Sequence, residues 1–318
     1  MDGFGGTASV SYLFKAMKKK VTFNDLLLSN YHTGVALIEN DSTVLGDEDL
    51  KFILHENGYK YPSFIQETFK DIYYLSHENK WLDIVTFNID MLSQNYDEET
   101  SKKKKAVAFH ILFQACLSKR PFNLFHRRNL HLRLAEIKRS FGNKKSWDTD
   151  FNTLFLRFHH EFSQKIFANG LENKAICTDI TKLEDICFDL VYLDPPYTRP
   201  KEKFPKDYHS LYHFLEGLAD YDNWQEKIDW KTNNRCMVNR DNGWNKKPPE
   251  GNFDNLFKKF QDSTIVVSYG EPGNPPIKKI EELLFQYKSK VTTVDTEYKY
   301  KLNHKNGDKM REVLIVAN

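Results

Sequence analysis

Asp194-Pro195-Pro196-Tyr197 follows directly on the apolar run Leu190-Val191-Tyr192-Leu193. A given tetrapeptide is expected by chance in only about 0.2% of chains this long. Two consecutive prolines fix φ and remove two backbone donors, which leaves a stiff loop with outward carbonyls. A carboxylate beside a fixed carbonyl offers two adjacent acceptors, matched to the two N–H bonds of a planar amino group. A neighbouring Tyr ring can stack on the heteroaromatic ring that carries the amine. Accepting both hydrogens turns the nitrogen lone pair out of conjugation, and the benefit grows as positive charge develops on nitrogen. Asp194, Pro195, Pro196 and Tyr197 are therefore the candidate catalytic residues. The rival reading is a strand followed by a rigid turn.

A second group lies at the start of the chain: Asp2-Gly3-Phe4-Gly5-Gly6-Thr7-Ala8, then Asn24-Asp25 after the next strand-forming run. A glycine-rich turn opening a helix lets a ligand approach the backbone, and an acid ending the following strand can hold ribose hydroxyls. A glycine cluster at a frayed terminus would look the same in isolation.

A third group is basic: Lys119, Arg120, Arg127, Arg128, Arg133, Lys138, Arg139, Lys144 and Lys145, with Glu136 the only acid between Lys119 and Lys145. Phe122, Asn123, His126, Asn129 and Trp147 are interleaved with them. Such a patch suits phosphates, with Arg or Asn reading base edges. The plainer alternative is a solvated helix face. The chain's net charge of only +2, from 46 basic and 44 acidic residues, means that any polyanion surface must come from local clustering of this kind.

These groups need a frame. With 318 residues, 40% apolar and 28% charged, the chain has enough material for a large core and for two domains, or one with a big insertion. No window approaches the roughly 18 apolar residues of a membrane span. The N-terminus lacks a secretory pattern, which points to a cytoplasmic protein. The four scattered cysteines lack metal or redox spacing, and the pairs His159-His160 and His209 with His213 have no completing ligands, so no metal is expected. Val10, Phe14 and Met17 predict a helix. Ile65 to Ile72, Trp81 to Ile89 and Val107 to Leu112 carry helical spacing through a region poor in proline. Strands are predicted at Val21 to Phe23, Lys174 to Cys177, Phe188 to Leu193, Ser263 to Tyr269 (buried on both faces), Lys290 to Val294 and Glu312 to Val316, with a helix from Ile277 to Tyr287. Residues 199–260 read as long loops with short helices. The alternation predicts a doubly wound α/β sheet with a helical insertion.

Taken together, these residues resemble the adenine-specific DNA methyltransferases of the D12, Dam-like class across nearly the whole chain. DGFGGTASVS is similar to the class's Phe-x-Gly-x-Gly cofactor motif, with Ala8 where the last glycine is usual, and Leu193-Asp194-Pro195-Pro196-Tyr197 is similar to its catalytic loop. Asn24-Asp25 matches the ribose-binding acid, Cys177-Thr178-Asp179 the acid near the cofactor adenine, and Val266 to Tyr269 and Glu312 to Val316 the later core strands. The resemblance implies a Rossmann-like domain from residues 1–45 and 172–318 that binds S-adenosylmethionine through Asp2, Phe4, Gly5, Gly6, Thr7, Asp25, Asp179 and Asp194. It implies DNA target recognition by a helical insertion at 46–171. It implies N6 methylation of a flipped adenine in double-stranded DNA, in restriction–modification or DNA marking, by a monomer or weak dimer with a cognate endonuclease as partner. The class places a lysine-containing segment and a first strand before the glycine turn. Here Met1 stands at the turn, so the expected sheet has a truncated first strand. That departure keeps a second reading in view, a non-catalytic DNA-binding homologue or subunit. RNA adenine is the alternative substrate; a protein amide fits less well, because Asn is more usual than Asp194 at that position for amide acceptors.

Overall fold

The computed structural model describes residues 1–136, 144–184, 187–196, 207–238, 249–296 and 311–318. Among these described residues, six strands and many helices give a mixed α/β fold. The strands are β1 (Thr22–Asp25), β2 (Lys174–Cys177), β3 (Leu190–Leu193), β4 (Thr264–Glu271), β5 (Val291–Thr296) and β6 (Arg311–Ala317). β1 pairs in parallel with β2, Phe23 opposite Ala175, and β3 in parallel with β4, Val191 opposite Ile265. β6 runs antiparallel to both β4 and β5, with Ile315 opposite Val267 and Thr293.

The gap between β1 and β3 is closed by the first three residues. Asp2 makes parallel bridges to Phe23 on one side and Tyr192 on the other. The amides of Asp2 and Gly3 donate to the carbonyls of Thr22 and Tyr192, each at 2.9 Å, and the carbonyls of Met1 and Asp2 accept from Tyr192 and Asn24 at 2.9 Å. The place where a truncated first strand was expected is thus held by a three-residue stub, which leaves neither neighbour with an open edge there.

The helices are α1 (Ser9–Ala16), α2 (Leu28–Gly34), α3 (Asp47–Leu54), α4 (Phe64–Thr68), α5 (Ser76–Met91), α6 (Glu98–Ser118), α7 (Leu130–Leu134), α8 (Lys144–Asp148), α9 (Phe151–Ser163), α10 (Tyr208–Ala219), α11 (Trp224–Lys227), α12 (Pro249–Lys259) and α13 (Ile277–Leu284). Two apolar clusters form. In one, α12 and α13 lay Phe253, Phe257, Ile280 and Leu284 against Val191, Ile265, Val267 and Ile315 of the sheet. The other runs without a break from Phe23 and the π-turn Val35–Glu39 that extends α2, through Phe109 of α6, to Phe214 and Trp224. The helical stretch 46–171 therefore shares its core with β1, α2 and α10.

The helix predicted from Val10, Phe14 and Met17 forms as α1, while the readings of β4 and of residues 199–260 need correction. On α1, Val10 and Phe14 are only half-buried and Met17 is 55% exposed, whereas Ser11 and Lys15 are buried. Ser11 donates to Asp2, and the Lys15 ammonium donates to the carbonyls of Leu37 (3.2 Å) and Asn40 (2.7 Å). Hydrogen bonding chose that face over the apolar stripe. β4 alternates, with Ile265, Val267 and Tyr269 buried but Val266 and Ser268 half-buried, so only one face is fully covered. Within 199–260, α10 is a 12-residue helix that buries Phe214, Leu215 and Leu218.

Candidate active site

The glycine turn is latched to the end of β1. The Gly5 amide donates to the Asn24 carbonyl (2.8 Å) and the Ala8 amide to the Gly5 carbonyl (2.8 Å). Asp25 closes the latch, with Oδ2 accepting from the Gly6 amide and Oδ1 from the Leu27 amide, both at 2.8 Å. Burial raises the Asp25 carboxyl's pKa, opposed by these amides. The close packing explains the glycines. A Cβ on Gly5 would lie 2.1 Å from the Phe23 ring, one on Gly34 2.3 Å from its opposite side, and one on Gly3 2.4 Å from Ile180. Ala8 ends the turn in the left-handed region at φ 64°, a conformation that suits glycine and strains alanine. Phe4 is half-buried and Thr7 is exposed, its hydroxyl 2.9 Å from that of Ser9.

Asp2 is 1% exposed and sits on the stub between the two halves of the sheet. Ser11 Oγ donates to its Oδ2 at 2.7 Å, and among the described residues its buried Oδ1 has no hydrogen-bond partner. Burial, with Asp25 adding, pushes the Asp2 pKa up to about 6. Asp194 ends β3, one strand over, and reaches solvent. Partial desolvation by the surrounding protein raises its pKa to about 6, and the negative charges of Glu312 and Asp2 add to the rise. Pro195 is buried and Pro196 half-buried. Tyr197 lies outside the described residues. Asp179 follows β2 and accepts from the amide (3.0 Å) and hydroxyl (2.8 Å) of Thr181. The Thr178 amide donates to the Asp25 carbonyl (3.1 Å), which sets Asp179 beside the end of β1. Asp179, Asp25 and Asp194 thus stand at the carboxyl ends of parallel strands, where open α/β sheets carry their ligands, and Asp2 lies buried in the stub level with Phe23 and Tyr192.

Several contributors had no readable signal. Ser11 holds Asp2 from the next helix. Glu216, on α10, accepts from the amides of Leu28 (3.0 Å) and Ser29 (2.7 Å) and so caps α2 just beyond Asp25. Residues 188 positions apart in the chain share no local pattern.

The basic cluster divides. Lys119 and Arg120 are 1% exposed and Arg133 is 5% exposed, so none of the three can reach a phosphate. Lys119 Nζ lies 2.8 Å from Glu78, and Arg133 donates twice to Glu78, at 2.8 and 2.9 Å. The Arg120 guanidinium lies over the Tyr73 ring and donates to the carbonyls of Leu124, Arg127 and Arg128. Their charges serve the interior, because a buried cation must find acceptors. Arg127, Arg128, Lys144 and Lys145 are exposed, although Lys144 pairs with Asp148 at 3.2 Å. Lys138 and Arg139 lie outside the described residues. Of the aromatics after the catalytic loop, Phe214 belongs to the core, while Tyr208 is 46% exposed and stacks parallel to Tyr212.

A family model for the D12 class N6 adenine-specific DNA methyltransferases matches residues 1–262. Type II methyltransferase M2.HphI of Haemophilus parahaemolyticus is 28% identical over 324 residues, covering 99% of this chain and 89% of that protein. Modification methylase LlaI of Lactococcus lactis subsp. lactis is 29% identical over 152 residues, or 45% of this chain and 23% of that protein. No solved structure matches. A glycine turn latched by Asp25, a proline-locked acid ending β3 and a family match across most of the chain place this protein in the D12 class of N6 adenine-specific DNA methyltransferases.

Proposed function

We propose that the chain methylates N6 of one adenine within a specific duplex DNA site, with S-adenosylmethionine as methyl donor, as the modification half of a restriction–modification system. The observation that carries this reading is the family match over residues 1–262, together with Asp25 latching the glycine turn and the exposed Asp194 directly after β3. Carboxyls whose pKa values are raised by desolvation and by one another suit a cationic ligand, because a positive charge offsets that repulsion. The residues fit S-adenosylmethionine, whose sulfonium and ammonium are both positive. Asp2, Gly5, Gly6, Thr7 and Phe4 would hold its amino-acid end, Asp25 the ribose and Asp179 the adenine. When bound, it supplies an electrophilic methyl carbon.

The remaining chemistry is done by this chain's own groups. The Asp194 carboxylate and the Pro195 carbonyl accept the two N6 hydrogens of the target adenine, Pro196 keeps that pair rigid and Tyr197 stacks on the base. Acceptance of both hydrogens frees the nitrogen lone pair and stabilises the positive charge that forms on it. Fixed alignment contributes the rest of the acceleration. The target amine is stacked inside the duplex, so the base is extruded before reaction.

We read the sheet as a doubly wound, Rossmann-like methyltransferase sheet formed by residues 1–45 and 172–318, with 46–171 as the target-recognition insertion on the shared core. The chain acts in the cytoplasm as a monomer or weak dimer beside an endonuclease of the same site. Among the described residues no helix is long and apolar enough to cross a membrane. Asp194→Ala tests the reading. Transfer of labelled methyl to duplex DNA should be abolished while DNA binding stays within about twofold; unchanged turnover would overturn it.

A further inference from the structure

Ile228 and Met237 form an antiparallel bridge, closed further by the Val238 amide on the Lys227 carbonyl (2.7 Å) and the Asp229 amide on the Cys236 carbonyl (2.8 Å). The turn between them is cross-linked from within. The Thr232 hydroxyl donates to the Asp229 carbonyl (2.7 Å) and accepts from the Cys236 amide (2.9 Å). On this rigid loop Trp230 is 50% exposed. Arg235, held at φ 53°, places its guanidinium 5.3 Å from the Trp230 ring centre and donates to the Trp230 carbonyl (3.0 Å). Among the described residues its buried Nε has no hydrogen-bond partner. A large apolar ring braced outward by a cation is expensive to display, and such a ring is a common mark of a recognition surface.

The same turn is tied to the basic loop Pro121–Arg128. Tyr73, beneath both, has its hydroxyl within 2.6 Å of the Phe125 carbonyl, 2.9 Å of the Asn234 carbonyl and 2.8 Å of His213 Nε2. His213 is buried and its Nδ1 is unpartnered, so the ring proton is assigned to Nε2, which donates to Tyr73. Asn234 Nδ2 donates to the Phe125 carbonyl (3.1 Å), and the Phe125 amide to the Leu211 carbonyl on α10 (3.0 Å). The two loops therefore move as one body with the helix that follows the catalytic loop. Residues 119–135 contain no acid, and the turn's one acid, Asp229, accepts from its own Lys231 amide (3.0 Å). The exposed charge of Arg127, Arg128 and Lys231 is positive, which selects a polyanion as the occupant.

We infer that the turn Asp229–Val238 is a second contact element for the duplex DNA substrate, in which Trp230 packs on the nucleic acid and Lys231 and Arg235 meet phosphates. The inference rests on the proposed function and adds a surface that lies outside both the glycine turn and the helical insertion.

The test is binding of the full chain to a fluorescently labelled duplex of mixed sequence across a range of KCl concentrations, with S-adenosylmethionine binding measured in parallel. Trp230→Ala should weaken DNA binding about tenfold, with Trp230→Phe recovering most of the loss. Lys231→Ala and Arg235→Ala should each reduce the slope of log affinity on log salt by about 1. Cofactor affinity should be unchanged in all four. If the variants bind DNA with wild-type affinity and salt slope while the wild-type chain methylates adenine, this inference falls and the proposed function stands. A wild-type chain that neither binds nor methylates duplex DNA overturns both.

Discussion

Asp2→Asn should stabilise the cofactor-free protein at neutral pH while weakening its hold on a cationic cofactor. The Asp2 carboxyl is 1% exposed, and its pKa stands at about 6 against an ordinary 3.8. Between those two values the folded chain keeps a proton that the unfolded chain has released. Stability from this group is therefore full below about pH 4, falls as pH rises, and levels off above about 6. At 1.36 kcal/mol per tenfold, the charged side chain costs about 1.6 kcal/mol at pH 5 and about 3 kcal/mol at pH 8. Asparagine has the same shape, its amide oxygen can accept from Ser11 Oγ, and it carries no charge at either pH. The expectation is a gain of about 3 kcal/mol at pH 8, worth roughly 4–5 °C in Tm for a chain of this length, and about 1.6 kcal/mol at pH 5. Any pH-independent effect of the new amide cancels between the two conditions, so the difference of about 1.4 kcal/mol isolates the buried charge. Urea unfolding of wild type and variant at pH 5 and pH 8, without cofactor, measures it. The same stability change at both pH values would refute the assignment of Asp2 as a buried, uncompensated carboxylate. Calorimetry on the same preparations should show S-adenosylmethionine affinity falling by at least about tenfold, since one unit of opposite charge has been removed.

Two further outcomes are expected. The acceptor role of Asp194 requires its ionised form, and its pKa of about 6 in the free protein places the acid limb of kcat/KM near pH 6; Asp2 titrates in the same range, so the limb should be steeper than a single ionisation. Steady-state methylation between pH 5 and 8 checks this, and a limb near pH 4 would count against it. Glu78 takes its charge from a different balance: burial alone would raise its pKa, but Arg133 and Lys119 hold it below the usual range, so its stabilisation is present at neutral pH and lost on acidification. Glu78→Gln should therefore lower stability by about 3–5 kcal/mol at pH 7, because it leaves Arg133 and Lys119 buried with an incomplete set of acceptors. Thermal melts read this loss, and DNA binding below the transition should change far less than the stability does.

Local chemistry made much of the catalytic side readable. Proline geometry, a glycine turn and an acid ending a short strand are short-range patterns, and Lys174–Cys177 and Leu190–Leu193 form strands where β-branched and aromatic residues predict them. The order of motifs and the class of chemistry follow from the same features. Burial and long-range partnership are different, because they depend on what the rest of the chain brings to a position. Nothing in the spacing of Lys119, Arg120 and Arg133 tells a phosphate-binding cation from one enclosed by Glu78, carbonyls and the Tyr73 ring. The apolar stripe of α1 pointed away from the face that Ser11 and Lys15 bury, since a hydrogen bond to Asp2 or to a carbonyl outweighs the burial of one exposed methionine. The sharing of one core between the helical stretch and β1, and the closing of the sheet's gap by Met1–Gly3, were likewise decided in three dimensions. Sequence alone determined which groups could do the chemistry; only the tertiary fold decided which charges face solvent and which are consumed inside, because desolvation is a property of surroundings and not of residue order.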